Sequence, residues 1–130
     1  MAAYKIFFKK QGLSDEWARL LLLNPKLAHI ALDVCAIMQG KMTITEIYRT
    51  AEMQRAYYPG NPGQLSVHQF WRGVDIRISD QVPEFAKNIV SNINHTWAYG
   101  RVGMQTALVH DVGMGNHLHL QTIDGGLKVP

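Results

Sequence analysis

The apolar positions of this chain switch between two spacings, one near the helical period of about 3.6 residues and one near 2. Ser14-Asp15-Glu16 opens a helical stretch in which Trp17, Leu20 and Leu21 share a face, with Ser14 as its N-cap. Pro25 interrupts it. A second helix is predicted from Lys26 to Gln39, carrying Leu27, Ile30, Ala31, Val34 and Ile37 or Met38 inward. It stops at Gly40, because glycine takes positive φ without strain. The pattern then alternates. Residues 42–49 predict a strand, 51–57 a short helix, and 59–63 a loop punctuated by Pro and Gly. Gly73 to Ile78 predicts a second strand, with Val74, Ile76 and Ile78 on one face and Asp75 and Arg77 on the other. Pro83 starts a helix running to about Asn94. Two more strands follow, over 107–110 and 117–122, separated by a turn from Val112 to Asn116. The tail from Asp124 to Pro130 reads as loose. Four strands with helices grouped around them indicate an α+β fold.

Composition narrows the class. The chain has 130 residues, 47% hydrophobic and 18% charged, which suits one globular domain with a real core. No apolar run reaches the roughly 18 residues of a membrane span. The start lacks the basic, apolar and small-residue segments of a secretory signal. The expectation is a protein made in a cytoplasm. The net charge of +3 is mild. The basic residues are scattered, with Lys9-Lys10 the one adjacent pair, so nucleic acid is not an expected partner. The single cysteine, Cys35, lies in an apolar helix. It excludes internal disulfides and cysteine-rich zinc sites and reads as a buried thiol.

Two polar stretches stand out against this background, residues 66–75 and His117-Leu118-His119. Catalytic zinc takes about three protein ligands and leaves one position open. His68, Asp75 and one histidine of the late pair supply such a set. On a strand, His117 and His119 face the same surface, about 7 Å apart, while Leu118 and Leu120 face the core. With four candidate ligands, a closed structural site and an open catalytic one both remain possible.

The block Ser66-x-His68-x-x-x-Arg72-x-Val74-Asp75-Ile76, followed by the distant His117-x-His119, resembles the D-Ala-D-Ala metallopeptidase and hedgehog zinc-domain superfamily. Ile47-Tyr48-Arg49-Thr50, with Gln54 after it, is similar to the Gly-Tyr-Arg-Ser stretch and following Gln that precede the zinc motif there. The likeness covers about Thr43 to Gln121. It implies a small antiparallel sheet with helices packed on it. The chain is then expected to be one domain with an N-terminal helical part (1–41) that carries no feature of that family, a catalytic core (42–122) and a tail (123–130). The likeness also implies a zinc peptidase of the DD- or LD-type that cuts stem or cross-bridge peptides of bacterial peptidoglycan. A phage lysin or particle-borne wall hydrolase, acting after lysis or from the particle, suits the small size.

By the same resemblance His68, Asp75 and His119 hold Zn2+. His117 lies beside the metal as base, with Asp111 the second choice and His110 also near. Arg49 holds the substrate carboxylate or the developing oxyanion. Gln54 and Trp71 are further substrate contacts, each with a packing role as its other reading. Two family positions differ: Trp71 replaces a glycine and Gly73 an alanine. The usual acid before the last ligand is also missing, since no Glu follows Glu84. A non-catalytic zinc-stabilised binding domain and a metal-free basic module are the rival expectations.

Overall fold

The edge strand Lys5–Phe8 (β1) is the element that periodicity misses, because four residues are too few to show a repeat. The computed structural model describes residues 3–79, 81–111 and 116–130, with the side chain of Asp111 also outside the described set. After β1 come helices α1 (Leu13–Leu23) and α2 (Pro25–Ile37), strand β2 (Lys41–Glu46), helix α3 (Ala51–Tyr57) and a single 3-10 turn (Val67–Phe70). Strand β3 (Gly73–Arg77), helix α4 (Pro83–Thr96) and strands β4 (Ala107–Asp111) and β5 (Asn116–Gln121) complete the fold.

The strands form one sheet in the order β1-β2-β3-β5-β4. Here the expected antiparallel sheet is corrected. β1 runs parallel to β2, so the sheet is mixed. A parallel neighbour needs a long crossover, and α1 and α2 provide it. α1 and α2 are therefore part of the same core as the sheet. Leu13, Leu20, Leu27, Ile30 and Val34 are fully buried together with Ile44, Ile76, Ile89, Leu118 and Leu120. This burial is the main favourable term of the fold. Cys35 is buried among them, and desolvation raises its thiol pKa.

Local chemistry explains most boundaries. α1 begins one residue before Ser14, with Gly12 at φ 93° as its N-cap, which corrects the capping role expected of Ser14. Asn24 separates the two helices. Its side chain accepts from the Leu27 N–H, and Pro25 fills the first position of α2, where a missing N–H costs nothing. Strand β2 stops at Glu46, short of the predicted Arg49, because its register with β3 shifts: Ile44 faces Ile76, yet Glu46 faces Asp75. This extra residue is a β-bulge, and it turns Glu46 toward the polar face of the sheet. The turn expected from Val112 lies mostly outside the described residues, and Asn116 already belongs to β5.

The tail is also corrected. Residues 123–127 are pinned, not loose. The Gly126 N–H donates to Leu23 O and the Leu127 N–H to Phe70 O, at 2.9 and 2.8 Å. Arg72 donates to the carbonyls of Ile123 and Gly125. Gly126 sits at φ 62° with its Cβ direction blocked by Phe70 O, a place only glycine fits. No helix among the described residues is long and apolar enough to cross a membrane.

Candidate metal centre

Strand alternation gives β3 and β5 one apolar face and one polar face. Val74, Ile76, Leu118 and Leu120 pack under the helices. On the other side Asp75 lies opposite His119, and Arg77 opposite His117. Asp75, His117, His119 and Gln121 are each only 7% exposed, so these polar groups are buried and need partners.

His68 reaches this face from the 3-10 turn. Ser66 caps the turn by accepting from the His68 N–H, while Gln69 accepts from the Ser66 N–H. Trp71 ends the turn at φ 57°, a costly conformation for a bulky residue. Its ring is 5% exposed and stacks on Tyr48 at 4.8 Å between centroids. This is the packing role that stands beside the substrate contact expected of Trp71. Gly73 follows for a similar reason of space. A Cβ there would lie 2.7 Å from Val67 Cγ2 and 3.2 Å from the His68 ring, which accounts for glycine at this position.

Three side chains converge. His68 Nε2 lies 3.3 Å from Asp75 Oδ2, and His119 Nδ1 lies 2.7 Å from Asp75 Oδ1. One donor atom from each of His68, Asp75 and His119 can be chosen so that all lie within 4.8 Å of one another. On its outer side His68 Nδ1 is 2.9 Å from Ile47 O. A carbonyl only accepts, so Nδ1 carries the hydrogen and Nε2 turns its lone pair toward the carboxylate. A neutral imidazole facing a carboxylate in this way is two acceptors face to face. A cation between them, or a proton on the ring, resolves it. Without a metal the proton serves. Burial works against a charged His68, but the hydrogen bond and charge of Asp75, with Glu46 behind, outweigh it and raise its pKa. Burial likewise opposes the charge on Asp75, and the two histidines override it and hold the carboxyl far below its usual range.

Glu46 is the acid that sequence reading misses. Its Oε2 lies 3.8 Å from His68 Nε2. It is also bound in bidentate fashion by Arg49, with Nη2 to Oε2 at 2.6 Å and Nε to Oε1 at 2.9 Å. Arg49 donates further to Gln54 Oε1 at 2.6 Å and lies over the Tyr57 ring. Desolvation opposes its charge, but Glu46 prevails and raises its pKa. Arg49 is 8% exposed and Gln54 2%. Both are expected substrate contacts; in the fold they are bonded to each other, and the Arg49 charge is matched by Glu46.

The candidate bases separate. His110 on β4 brings Nε2 to 3.8 Å from Asp75 Oδ1, and its ring centroid lies 5.2 Å from that of His119. Desolvation first, and the neighbouring histidines after it, lower its pKa despite the pull of Asp75. It is therefore neutral at neutral pH. His117 pairs with His110 across the β4–β5 register and stands outside the trio. Both His110 Nε2 and His117 Nδ1 are buried without a hydrogen-bond partner among the described residues. Asp111 closes β4 opposite Asn116, and its side chain lies outside the described set.

The two imidazoles and one carboxylate form a buried donor set that could hold a metal ion. An open groove of about 420 Å³ adjoins the cluster, lined by Gly103, Met104, Gln105, Leu108 and Gln121. Leu108 pairs with His119 in the sheet, which places the groove beside the site. A scan against protein-family models, a search of curated proteins and a search of solved structures each find no match to this chain.

Proposed function

We propose that this protein is a zinc-dependent peptidase acting on peptide bonds of bacterial peptidoglycan, in stem or cross-bridge peptides. The observation that carries the reading is the meeting of His68, Asp75 and His119, from a turn and two strands, within 4.8 Å. The resemblance of residues 43–121 to the D-Ala-D-Ala metallopeptidase and hedgehog superfamily supplies the substrate class. Zinc, when bound by these three side chains, supplies Lewis acidity for attack on an amide carbonyl.

The remaining roles fall to the chain's own residues. His110, neutral and with a free Nε2 beside the trio, takes the proton of the attacking water and later returns it to the leaving amine. His117, next in the register, is the second candidate. Arg49 neutralises Glu46, so the carboxylates of Glu46 and Asp75 can share one buried corner. The groove by Leu108 and Gln121 receives the substrate chain. Release at lysis, or carriage on a phage particle, would bring such an enzyme to the wall.

A second reading, a zinc-stabilised binding domain without turnover, is favoured by the closed Arg49–Glu46 pair, which keeps the Glu46 carboxylate engaged beside the ligands. Mass analysis of muropeptides decides between them. Purified cell wall treated with zinc-loaded protein should release peptides cut at one kind of bond, and a chelator should stop it. An unchanged muropeptide pattern from folded, zinc-loaded protein overturns the peptidase reading.

A further inference from the structure

Gln121 lies two residues after His119 on the same face of β5. Its amide bridges two groups. Nε2 donates to Gln105 O at 2.8 Å, and Oε1 lies 3.1 Å from His119 Nε2. The orientation is fixed by chemistry. Turned over, the amide would set its own oxygen against the Gln105 carbonyl, two acceptors in contact. With Oε1 facing the imidazole, His119 Nε2 must carry the hydrogen. Nδ1 faces Asp75 Oδ1 at 2.7 Å and the point where the three donors converge: without a metal a hydrogen on Nδ1 bridges this contact, and with Nε2–H held outward the Nδ1 lone pair is the one left for a metal. On the opposite side Ile47 O performs the same service for His68.

We infer that Gln121 is a positioning residue of the metal centre, which locks the tautomer and ring orientation of His119 from the groove side. The inference rests on the zinc reading for its purpose, though not for its geometry. Partners of this kind, hydrogen-bonded to the outer nitrogen of a ligating histidine, typically change metal affinity by roughly 10–100-fold. Gln105 lines the groove, so the same amide ties a lining residue to the ligand.

Two measurements test it. The first is the histidine ring nitrogen pattern of His119 in long-range 1H–15N spectra of the metal-free native protein. Gln121 as a lock requires a hydrogen on Nε2. A neutral ring protonated on Nδ1 alone overturns the inference, whether or not zinc ever binds. The second is zinc affinity by competition with a chelating dye. Gln121→Leu should bind roughly 10–100-fold more weakly than the native protein. Gln121→Met, which keeps the length of the side chain without the amide, should be about as weak as the Leu variant. Equal affinity in the native and Leu proteins overturns the role. So does a Met variant that recovers the native affinity, since the effect would then be one of packing. If the native protein takes up no zinc, the peptidase reading fails while the nitrogen pattern still judges Gln121. If Gln121→Leu does not fold, the nitrogen pattern and the Met variant decide.

Discussion

Asp75 and His119 face each other in the β3–β5 register with Oδ1 and Nδ1 2.7 Å apart, and His68 closes on the other oxygen of the same carboxylate. One carboxylate thus serves two imidazoles. Each imidazole has its outer nitrogen occupied, by Ile47 O for His68 and by the Gln121 amide for His119. The arrangement leaves three donor atoms aimed inward.

Metal uptake should follow these three residues. The native protein is expected to carry about one zinc per chain. His68→Ala and Asp75→Asn should each reduce the zinc content to near nothing and abolish hydrolysis with it. Elemental analysis of the purified variants is the check. Hydrolysis surviving in zinc-free His68→Ala protein would refute the mechanism.

Stability should depend on pH with opposite signs in the two metal states. His68 titrates above its ordinary value of 6.5 in the metal-free fold. A group raised on folding stabilises fully below its unfolded value, and that contribution is lost as pH rises through the folded one. Asp75 is lowered from 3.8, so its contribution is present above that value and is lost only in strong acid. Chelated protein should therefore lose stability as pH rises above 6.5. Zinc-loaded protein should gain across the same interval, because ligation requires neutral imidazole. Thermal melts with and without chelator test both slopes, and parallel slopes would contradict the centre.

His110 and His117 can be separated by rate. His110→Gln should retain zinc and lose about 10²–10⁴-fold in hydrolysis, the range of a general base. His117→Gln should lose much less. The reverse order, measured on a purified muropeptide, would move the base to His117.

The pinned tail gives a prediction independent of the metal. Gly126→Ala places a methyl against Phe70 O in a left-handed conformation. It should cost about 2–3 kcal/mol in denaturant unfolding. No change in stability would mean that residues 123–127 contribute nothing to the fold.

Much of this site is legible along the chain. Period-2 alternation puts Asp75 on the polar face of its strand and pairs His117 with His119 on one side. The same rule would have added Gln121 to that face, a signal present and unused. Glu46 carries no such signal. Its position opposite Asp75 depends on a bulge, and local spacing does not reveal a bulge. Arg49 and Gln54 match a motif by residue type, but their mutual hydrogen bond and the pairing with Glu46 appear only when α3 folds against the end of β2.

The order of the main elements after β1 and the faces of β3 and β5 were set by the sequence alone, because each depends on residues a few positions apart; the choice of His68, Asp75 and His119 as ligand candidates came from motifs distant in the chain and their resemblance to a known family. The tertiary structure decided that β1 joins β2 in parallel, that β3 and β5 align Asp75 with His119, and that His110 rather than His117 approaches Asp75. Those outcomes depend on strand register. Register is chosen by burial of the whole apolar face against α1, α2 and α4, an energy that no short window of sequence contains.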